Sequence, residues 1–264
     1  MQEKSNSQEW ITNTNQKEIY SGLFLENNFK HAFFTKKANL ISTNKSKDDY
    51  ISSGYSISQL KQIHSNKIIY SRNARRSPWP EGDGLISSKN KRESLWIYSA
   101  DCIPILFANK ETGQVLAIHA GWKGIANKIL INALHILKKD GSNKKDLIIA
   151  LGPSISISNY KVDLNLVKKI SHALIFDKIQ SDEFKSSINK ISKMIQLEII
   201  KKDLISNKYL LDIKGAAINQ LLNNGLSKTQ ISINKNCTFS EEELFFSWRR
   251  TKKRLFQWSY IESK

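Results

Sequence analysis

The segment from Ser94 to Gly124, SLWIYSADCIPILFANKETGQVLAIHAGWKG, constrains the fold of this 264-residue chain more than any other segment. Two short apolar runs within it each lead to reactive side chains: LWIY leads into Asp101 and Cys102, and VLAI leads into His119. Short runs that are rich in β-branched and aromatic residues predict buried strands. The reactive residues therefore lie where strands end, a position at which a rigid scaffold commonly holds catalytic groups.

A helical pattern follows His119. Its apolar residues recur at three- and four-residue spacing over positions 125–137, two lysines occupy its last turn, and Gly141 follows its end. Gly121 and Gly124 bracket the turn that begins this helix. Because the first N–H groups of a helix are free and carry its positive dipole end, this turn is a candidate site for an anion such as phosphate.

Composition limits the classes of protein to which the chain can belong. No apolar run is long enough to cross a bilayer, and the polar N-terminus lacks a signal peptide, so we expect no membrane partner. Two cysteines are too few for a disulfide framework, which favours a cytoplasmic location. The net charge of +17 comes from 34 scattered lysines and only 7 arginines, without a nucleic-acid-binding motif. We therefore expect a lysine-rich surface and no specific nucleic acid partner.

The order of predicted elements indicates an α+β protein. We expect a single domain over residues 1–264, a layered sandwich of mixed β-sheet with covering helices, whose residues 1–18 are partly disordered before an edge strand. Further strands are predicted at Leu23–Leu25 and His31–Phe34, and another over Leu60–Tyr70 that carries His64. Residues 184–205 show helical spacing. His31 stands beside two phenylalanines, which is more typical of a core histidine than of a site residue.

Three residues, His64, Cys102 and His119, form a candidate metal site because each lies on or at the end of a predicted strand. Two imidazoles and one thiolate suit Zn²⁺ and leave a fourth position open, as in catalytic zinc sites. The same ligands suit copper. From residue types alone, an inert buried thiol, or a metal-free hydrolase with Cys102 as nucleophile and His119 as base, remains an alternative.

The motifs of the chain resemble those of the laccase-domain family, which is described both as multicopper polyphenol oxidoreductases and as purine nucleoside phosphorylases. SADCIPILF followed by IHAGWKG resembles the paired signature of that family. QIHSN, GDGLIS, GPSISISNYKV, NCTFS and FFSWRR resemble its other motifs in the same order, so the resemblance covers most of the chain.

This resemblance implies that His64, Cys102 and His119 bind the metal, which would be Zn²⁺, with Cu²⁺ as the alternative. It implies phosphorolysis of adenosine, inosine, guanosine and S-methyl-5′-thioadenosine, with an adenosine deaminase side activity. Purine nucleosides and phosphate are then the expected partners of a monomer.

The catalytic candidates are Cys102, His119 and Asp101, and Asp101 or Asp83 is a candidate to orient a ligand imidazole. Arg249 or Arg250, with Gly121 and Gly124, would hold phosphate. Copper-dependent oxidation of phenols and metal-independent cysteine hydrolysis remain the rival activities.

Overall fold

The computed structural model describes residues 9–40, 47–174 and 187–264 of the chain. Its strands in this part of the chain are β1 (Trp10–Thr12), β2 (Glu18–Ser21), β3 (His31–Phe34), β4 (Ser56–Ser58), β5 (Ile68–Tyr70), β6 (Gly84–Ile86), β7 (Glu93–Ser99), β8 (Ile103–Asn109), β9 (Val115–Ala120), β10 (Leu147–Leu151), β11 (Lys161–Val162), β12 (Ile200–Lys202), β13 (Tyr209–Leu211), β14 (Ile231–Ile233) and β15 (Gln257–Glu262). The helices are α1 (Gly22–Glu26), α2 (Trp122–Ala126), α3 (Ile129–Lys139), α4 (Leu164–Ser171), α5 (Ser187–Gln196), α6 (Ile213–Asn223) and α7 (Trp248–Thr251).

The strands form two large mixed sheets and one small sheet. The first sheet has the order β1-β2-β3-β15-β7-β4, in which only β4 runs parallel to its neighbour. The second has the order β14-β10-β8-β9-β6-β5, with parallel pairs at both edges and antiparallel pairs between. The third is the antiparallel sheet β11-β13-β12. The predicted mixed sheet is therefore confirmed.

Strand β8 lies at the centre of the layered structure and is buried on both faces. Alternate residues of a strand point to opposite faces. Leu106 and Ala108 pack toward the first sheet, whereas Ile103, Ile105 and Phe107 pack toward the helices. All seven residues of β8 are buried, which explains why its first six residues are apolar instead of alternating with polar residues.

Helices cover the face of the second sheet that points away from the first. Their apolar stripes contribute Leu130 and Leu137 of α3, Val167 of α4, and Ala217 and Leu221 of α6 to one core cluster, and all five are buried. The layers are thus sheet, sheet and helix, and the predicted α+β class with covering helices is confirmed.

The outer face of the first sheet carries a layer of aromatic side chains. The ring centroids of Trp96 and Tyr260 lie 4.7 Å apart with an interplanar angle of 11°, and Phe34 stacks on Trp96 at 5.7 Å. This face is therefore also apolar, and both faces of the first sheet contribute to burial.

Several local predictions were wrong. The Ser94–Gly124 segment contains three strands, since IPILFAN forms β8 between β7 and β9. Leu23–Leu25 lies in helix α1, because the chain turns back after β2 to pair β2 with β3. In the predicted strand Leu60–Tyr70, only Ile68–Tyr70 is a strand.

Two helical predictions also required correction. The helix after His119 is broken into α2 and α3, because Lys128 adopts a left-handed conformation with φ of 61°. Of residues 184–205, Ser187–Gln196 forms α5, and the chain then enters strand β12 after Glu198 takes a positive φ of 55°. Positions 184–186 lie outside the described residues.

The predicted edge strand near the N-terminus is β1, which pairs with β2 at the edge of the first sheet. The predicted disorder falls in part on residues 1–8, which lie outside the described residues. None of the helices in the described ranges is both long and apolar enough to cross a membrane.

Replacing Leu106 by alanine tests the layer between the two sheets. The side chain of Leu106 is fully buried, so Leu106→Ala should lower the free energy of unfolding by about 2–5 kcal/mol. Leu204 is 97% exposed, and Leu204→Ala should change stability by less than about 0.5 kcal/mol. Urea unfolding followed by circular dichroism measures both, and equal effects would contradict the assigned layers.

Candidate metal and substrate site

The three predicted ligands, His64, Cys102 and His119, meet at one point. One ligand atom from each residue lies within 4.8 Å of those of the other two. The antiparallel pairing of β8 with β9 sets Pro104 opposite His119, so the turn that carries Cys102 ends beside the imidazole. The rings of His64 and His119 are nearly perpendicular, with centroids 4.8 Å apart. It is the only such group of three or more potential ligands within the described ranges.

Asp83 accepts hydrogen bonds from both histidines of this cluster and from their neighbours. Its carboxylate accepts hydrogen bonds from the backbone N–H of Ile63 (3.3 Å), His64 (2.9 Å) and Ser65 (2.5 Å). It also accepts from the Ser65 hydroxyl at 2.8 Å and from His119 Nδ1 at 2.9 Å. A carboxylate with so many donors is stabilised in its charged form.

The hydrogen bonds to Asp83 explain why the predicted strand around His64 does not form. Three successive N–H groups converge on one carboxylate, which bends the backbone and places His64 at a φ of 60°. The side chain of Gln62 then anchors the bend to β7, since its amide donates to the Tyr98 carbonyl and accepts from the Tyr98 N–H. His64 is therefore presented by a loop and not by a strand.

The thiolate form of Cys102 and the protonated form of His119 stabilise each other. Burial raises the pKa of the Cys102 thiol, but the adjacent His119 and His64 rings outweigh it and lower that pKa. Burial lowers the pKa of His119, but the Cys102 sulfur and Asp83 outweigh it and raise that pKa. Burial likewise raises the pKa of Asp83, and the hydrogen bonds from His119 and Ser65 lower it further than burial raises it.

The donor set fits a metal ion of borderline softness. The hydrogen bond from Nδ1 to Asp83 leaves Nε2 as the nitrogen through which His119 can bind a metal, and the carboxylate fixes the orientation of the ring. Two imidazole nitrogens and a thiolate match the three protein ligands of several catalytic zinc sites. These ligands also match copper, so the donor set by itself does not select the metal.

Gly121 allows the chain to pass directly behind the cluster. A Cβ at this position would lie 2.7 Å from Cys102 Sγ and 3.3 Å from His64 Cδ2. Gly124 has a different environment, with the Ser65 carbonyl oxygen and Ile129 at 3.4 Å. The first role of Gly121 is thus to leave room for the thiolate and the imidazole.

A cavity of about 470 Å³ opens beside the cluster, and we call it the site cavity. His64 and Cys102 form part of its wall. The carboxylate residue Asp101 also lines it, and its other walls are mainly apolar and aromatic: Trp122, Ile155, Tyr160, Ile213 and Trp248. Its volume is within the range of small-molecule sites, and such sites combine apolar walls with a few polar groups.

Lys123 and Arg249 supply the cationic groups of the site cavity. The Arg249 guanidinium lies over the ring of Tyr160, 5.1 Å from its centroid, and donates to the Lys161 carbonyl at 3.2 Å. Arg250 has a different role, because its guanidinium donates to three backbone carbonyls of the C-terminal segment. Of the two arginines predicted to hold phosphate, only Arg249 lines the site cavity.

Asp101 holds the C-terminal segment against the cluster. Its carboxylate accepts from the Thr238 hydroxyl (2.7 Å), the Ser247 hydroxyl (3.0 Å) and the Arg249 backbone N–H (2.6 Å). The residue takes a positive φ of 89° directly before Cys102. Asp101 makes no hydrogen bond to the imidazole of His64 or His119, whereas Asp83 accepts one from His119, so of the two only Asp83 stays a candidate to orient a metal ligand.

The turn at Gly121 and Gly124 is less suited to phosphate than its sequence indicates. The helix that it begins, α2, has only five residues, and neither glycine is among the residues that line the site cavity. Trp122 and Lys123 from the same turn do line it. The anion-binding role of the two glycines therefore stays a prediction.

His31 lies in the core, as its phenylalanine neighbours indicated. It is 1% exposed, its Nε2 accepts from the Ser21 N–H, and its Nδ1 donates to the Phe29 carbonyl. Both ring nitrogens are engaged, so His31 has a structural role.

Sequence reasoning missed seven residues that line the site cavity, and four of them carry an aromatic ring or a charge: Trp122, Lys123, Tyr160 and Trp248. All four stand within motifs that had already been recognised, GWKG, SNYKV and FFSWRR. The missing signal was their placement, since an aromatic residue or a lysine in a motif does not indicate which way its side chain points.

Comparison with known proteins supports a common ancestry. The sequence profile of the family described as "Multi-copper polyphenol oxidoreductase laccase" matches residues 36–261 of this chain. A purine nucleoside phosphorylase of Synechocystis sp. is 33% identical over 212 residues, which is 78% of this chain and 79% of that protein. A purine nucleoside phosphorylase of Rickettsia conorii is 36% identical over 144 residues, or 52% of this chain and 57% of that protein.

Solved structures show the same fold. The crystal structure of YlmD from Geobacillus stearothermophilus matches with a TM-score of 0.73 at 21% sequence identity, and the match covers 96% of this chain and 98% of that chain. At this identity, the likeness establishes the fold.

Adding one methyl group at Gly121 should damage the cluster without unfolding the chain. In Gly121→Ala the new Cβ would force Cys102 Sγ to move, so we expect affinity for Zn²⁺ to fall at least about tenfold. Gly124→Ala is the matched control, because its Cβ meets only ordinary contacts and should leave affinity unchanged. Titration against a chromogenic chelator measures both, and unchanged zinc affinity in Gly121→Ala would contradict the assigned close approach.

Removing the charge of Asp83 should lower the metal affinity of the cluster, although Asp83 is not one of the three candidate ligands. We expect Asp83→Asn to lower Zn²⁺ affinity about 10–100-fold, because the His119 ring loses its carboxylate partner. Glu81→Gln is a suitable control, since Glu81 is an exposed acid that pairs with the surface residue Lys61. The same chelator titration applies, and equal affinity in the two variants would argue against the role of Asp83.

Stability should depend on pH through the same carboxylate. The pKa of Asp83 is lower in the folded than in the unfolded chain. Its contribution is therefore present above the unfolded value of about 4 and is lost as pH falls through the lower folded value. Urea unfolding of the metal-free protein between pH 7 and pH 3 should show a smaller loss of stability in Asp83→Asn than in the natural chain.

Proposed function

The chain belongs to the family of multi-copper polyphenol oxidoreductase laccases, and we propose that it acts in this family as a metal-dependent purine nucleoside phosphorylase. The observation that carries the proposal is the meeting of His64, Cys102 and His119 at the wall of a cavity that has mainly apolar sides, two cations and one carboxylate. Two relatives that bear the name of this activity support it.

The walls of the site cavity suit the two substrates of phosphorolysis. A purine is flat and aromatic, so the indoles of Trp122 and Trp248 and the ring of Tyr160 provide surfaces on which it can stack. Phosphate is anionic, and the side chains of Lys123 and Arg249 are the cations that line the same cavity. We infer that phosphate binds between these two residues.

The reaction joins phosphate to the ribose and releases the base. An oxygen of phosphate forms a bond to ribose C1′ while the C1′–N9 bond breaks, and the purine leaves with that electron pair and takes up a proton. Lys123 and Arg249 hold the phosphate oxygens so that one of them faces C1′, which lowers the entropic barrier to the reaction. Adenosine, inosine, guanosine and S-methyl-5′-thioadenosine are the substrates that we propose.

Among the residues proposed as catalytic, Cys102 and His119 hold the metal together with His64, and Asp101 positions Arg249 through its backbone N–H. Zinc is the metal that we propose for this site, where it would supply Lewis-acid chemistry. We extend the proposal to an adenosine deaminase side activity, for which release of inosine is the direct assay.

Copper-dependent oxidation of phenols is a second candidate, because the family is described by that activity and because the ligand set suits copper. Its description implies several copper ions. Within the described ranges there is one group of three potential ligands, and the whole sequence contains five histidines, of which His31 is committed to the core. Metal analysis of protein purified without added metal, followed by phenol oxidation assays with zinc or copper, separates the two candidates.

One observation favours a metal-free cysteine hydrolase as a further candidate. Asp83 is hydrogen-bonded to His119, and His119 is hydrogen-bonded to Cys102. This order of carboxylate, imidazole and thiol is that of a catalytic triad. His64 has no role in such a triad, whereas a metal site uses it. A hydrolase would keep its activity in a chelator and lose it on alkylation of Cys102.

Phosphate-dependent release of adenine from adenosine is the decisive measurement. We expect Cys102→Ala and His119→Ala to lower kcat/KM at least about 100-fold, because loss of a ligand costs more than the 10–100-fold loss that follows removal of an outer partner. Chromatography of adenine and ribose 1-phosphate measures the turnover.

Cys237→Ser is the matched control for the thiol, since Cys237 does not line the site cavity and should keep the natural rate. Full activity in Cys102→Ala would remove the metal from the mechanism. Release of adenine at the same rate without phosphate would instead identify a hydrolase.

A further inference from the structure

A second cavity of about 470 Å³ shares a wall with the site cavity, and we call it the annex. Trp122 and Lys123 line both cavities, so a molecule bound in the site cavity borders the annex across these two side chains. Helix α4 forms the other side of the annex through Lys169. The proposed phosphorolysis uses Trp122 and Lys123 from their side in the site cavity and gives no role to Asn127, Lys169 or His172.

The annex has the chemistry of a phosphate site. Lys123 Nζ and Lys169 Nζ lie 5.9 Å and 5.8 Å from the centroid of the Trp122 ring, so two ammonium groups stand near one indole. His172 and Asn127 add further polar groups, and no carboxylate stands among the residues that line the annex. An anion placed there would meet donors and no competing negative charge.

We propose that the annex binds the phosphate group of a phosphorylated nucleoside whose purine and ribose occupy the site cavity. The proposal rests on the proposed function and extends its substrate class from nucleosides to nucleoside monophosphates. Phosphorolysis of such a substrate forms the bond between phosphate oxygen and C1′ and breaks the C1′–N9 bond as before. The base leaves with the electron pair and a proton, and the product is a ribose bisphosphate.

The phosphate can be attached at either of two ribose positions, so the experiment compares adenosine with 5′-AMP and 3′-AMP. Calorimetric titration gives the affinity of each ligand, and release of adenine gives kcat/KM. We expect at least one of the two monophosphates to bind roughly five- to tenfold tighter than adenosine at low salt, which is the effect of one or two exposed charge-assisted hydrogen bonds. Because the cations are exposed, the preference should fall at high ionic strength.

Lys169→Ala should remove most of this preference and leave the affinity for adenosine unchanged, since Lys169 lines the annex and not the site cavity. Lys168→Ala is the matched control, because Lys168 is the preceding exposed lysine of α4 and does not line the annex. It changes the net charge by the same amount and should keep the preference.

The proposal is overturned if neither monophosphate binds better than adenosine, or if Lys168→Ala and Lys169→Ala reduce the preference equally. Equal reduction would assign the effect to the general positive charge of the surface. If Lys169-dependent binding of AMP is found but adenine is released from neither AMP nor adenosine, the annex is supported and the proposed phosphorylase activity fails. If adenine is released from adenosine alone, and AMP neither binds more tightly nor reacts, the annex fails and the phosphorylase stands.

Discussion

The carboxylate of Asp83 is the interaction on which the site depends. It collects three successive backbone N–H groups, one hydroxyl and one imidazole, and so joins the loop of His64 to the end of β9. A buried carboxylate is costly unless such donors surround it, and here the donors come from the parts that the site must hold together. The same contacts fix the orientation of His119 and the left-handed backbone of His64.

A second carboxylate, Asp101, anchors the C-terminal segment as Asp83 anchors the two histidines. It accepts hydrogen bonds from two hydroxyls and from the N–H of Arg249. Arg250 stabilises the same segment by donating to three backbone carbonyls. Adjacent residues of one motif therefore have opposite roles, since Arg250 is committed to the backbone and Arg249 lines the site cavity. The C-terminal segment therefore lies against the metal cluster, because Asp101 stands directly before Cys102.

The geometry also bears on the two descriptions of the family. A single three-ligand cluster within the described ranges suits one metal ion and not the several ions of a multicopper site. The cavity beside it has aromatic walls and cations, which suit a purine and phosphate. The annex adds Lys169 to the cations that lie near Trp122. The site cavity thus combines the cations Lys123 and Arg249 with the carboxylate of Asp101, which accepts hydrogen bonds from Thr238, Ser247 and the Arg249 N–H.

The sequence by itself determined the buried strands β7 and β9, the α+β class and the identity of the three clustered residues, because apolar runs and reactive side chains are local properties. It did not reveal β8 as a separate strand, although β8 is buried along its whole length like β9. Only the tertiary structure decided that His64 lies on a loop, that Asp83 orients His119, and that Arg249 alone of the arginine pair faces the cavity. These outcomes depend on contacts between residues far apart in the chain, and such contacts have no local pattern from which they can be predicted.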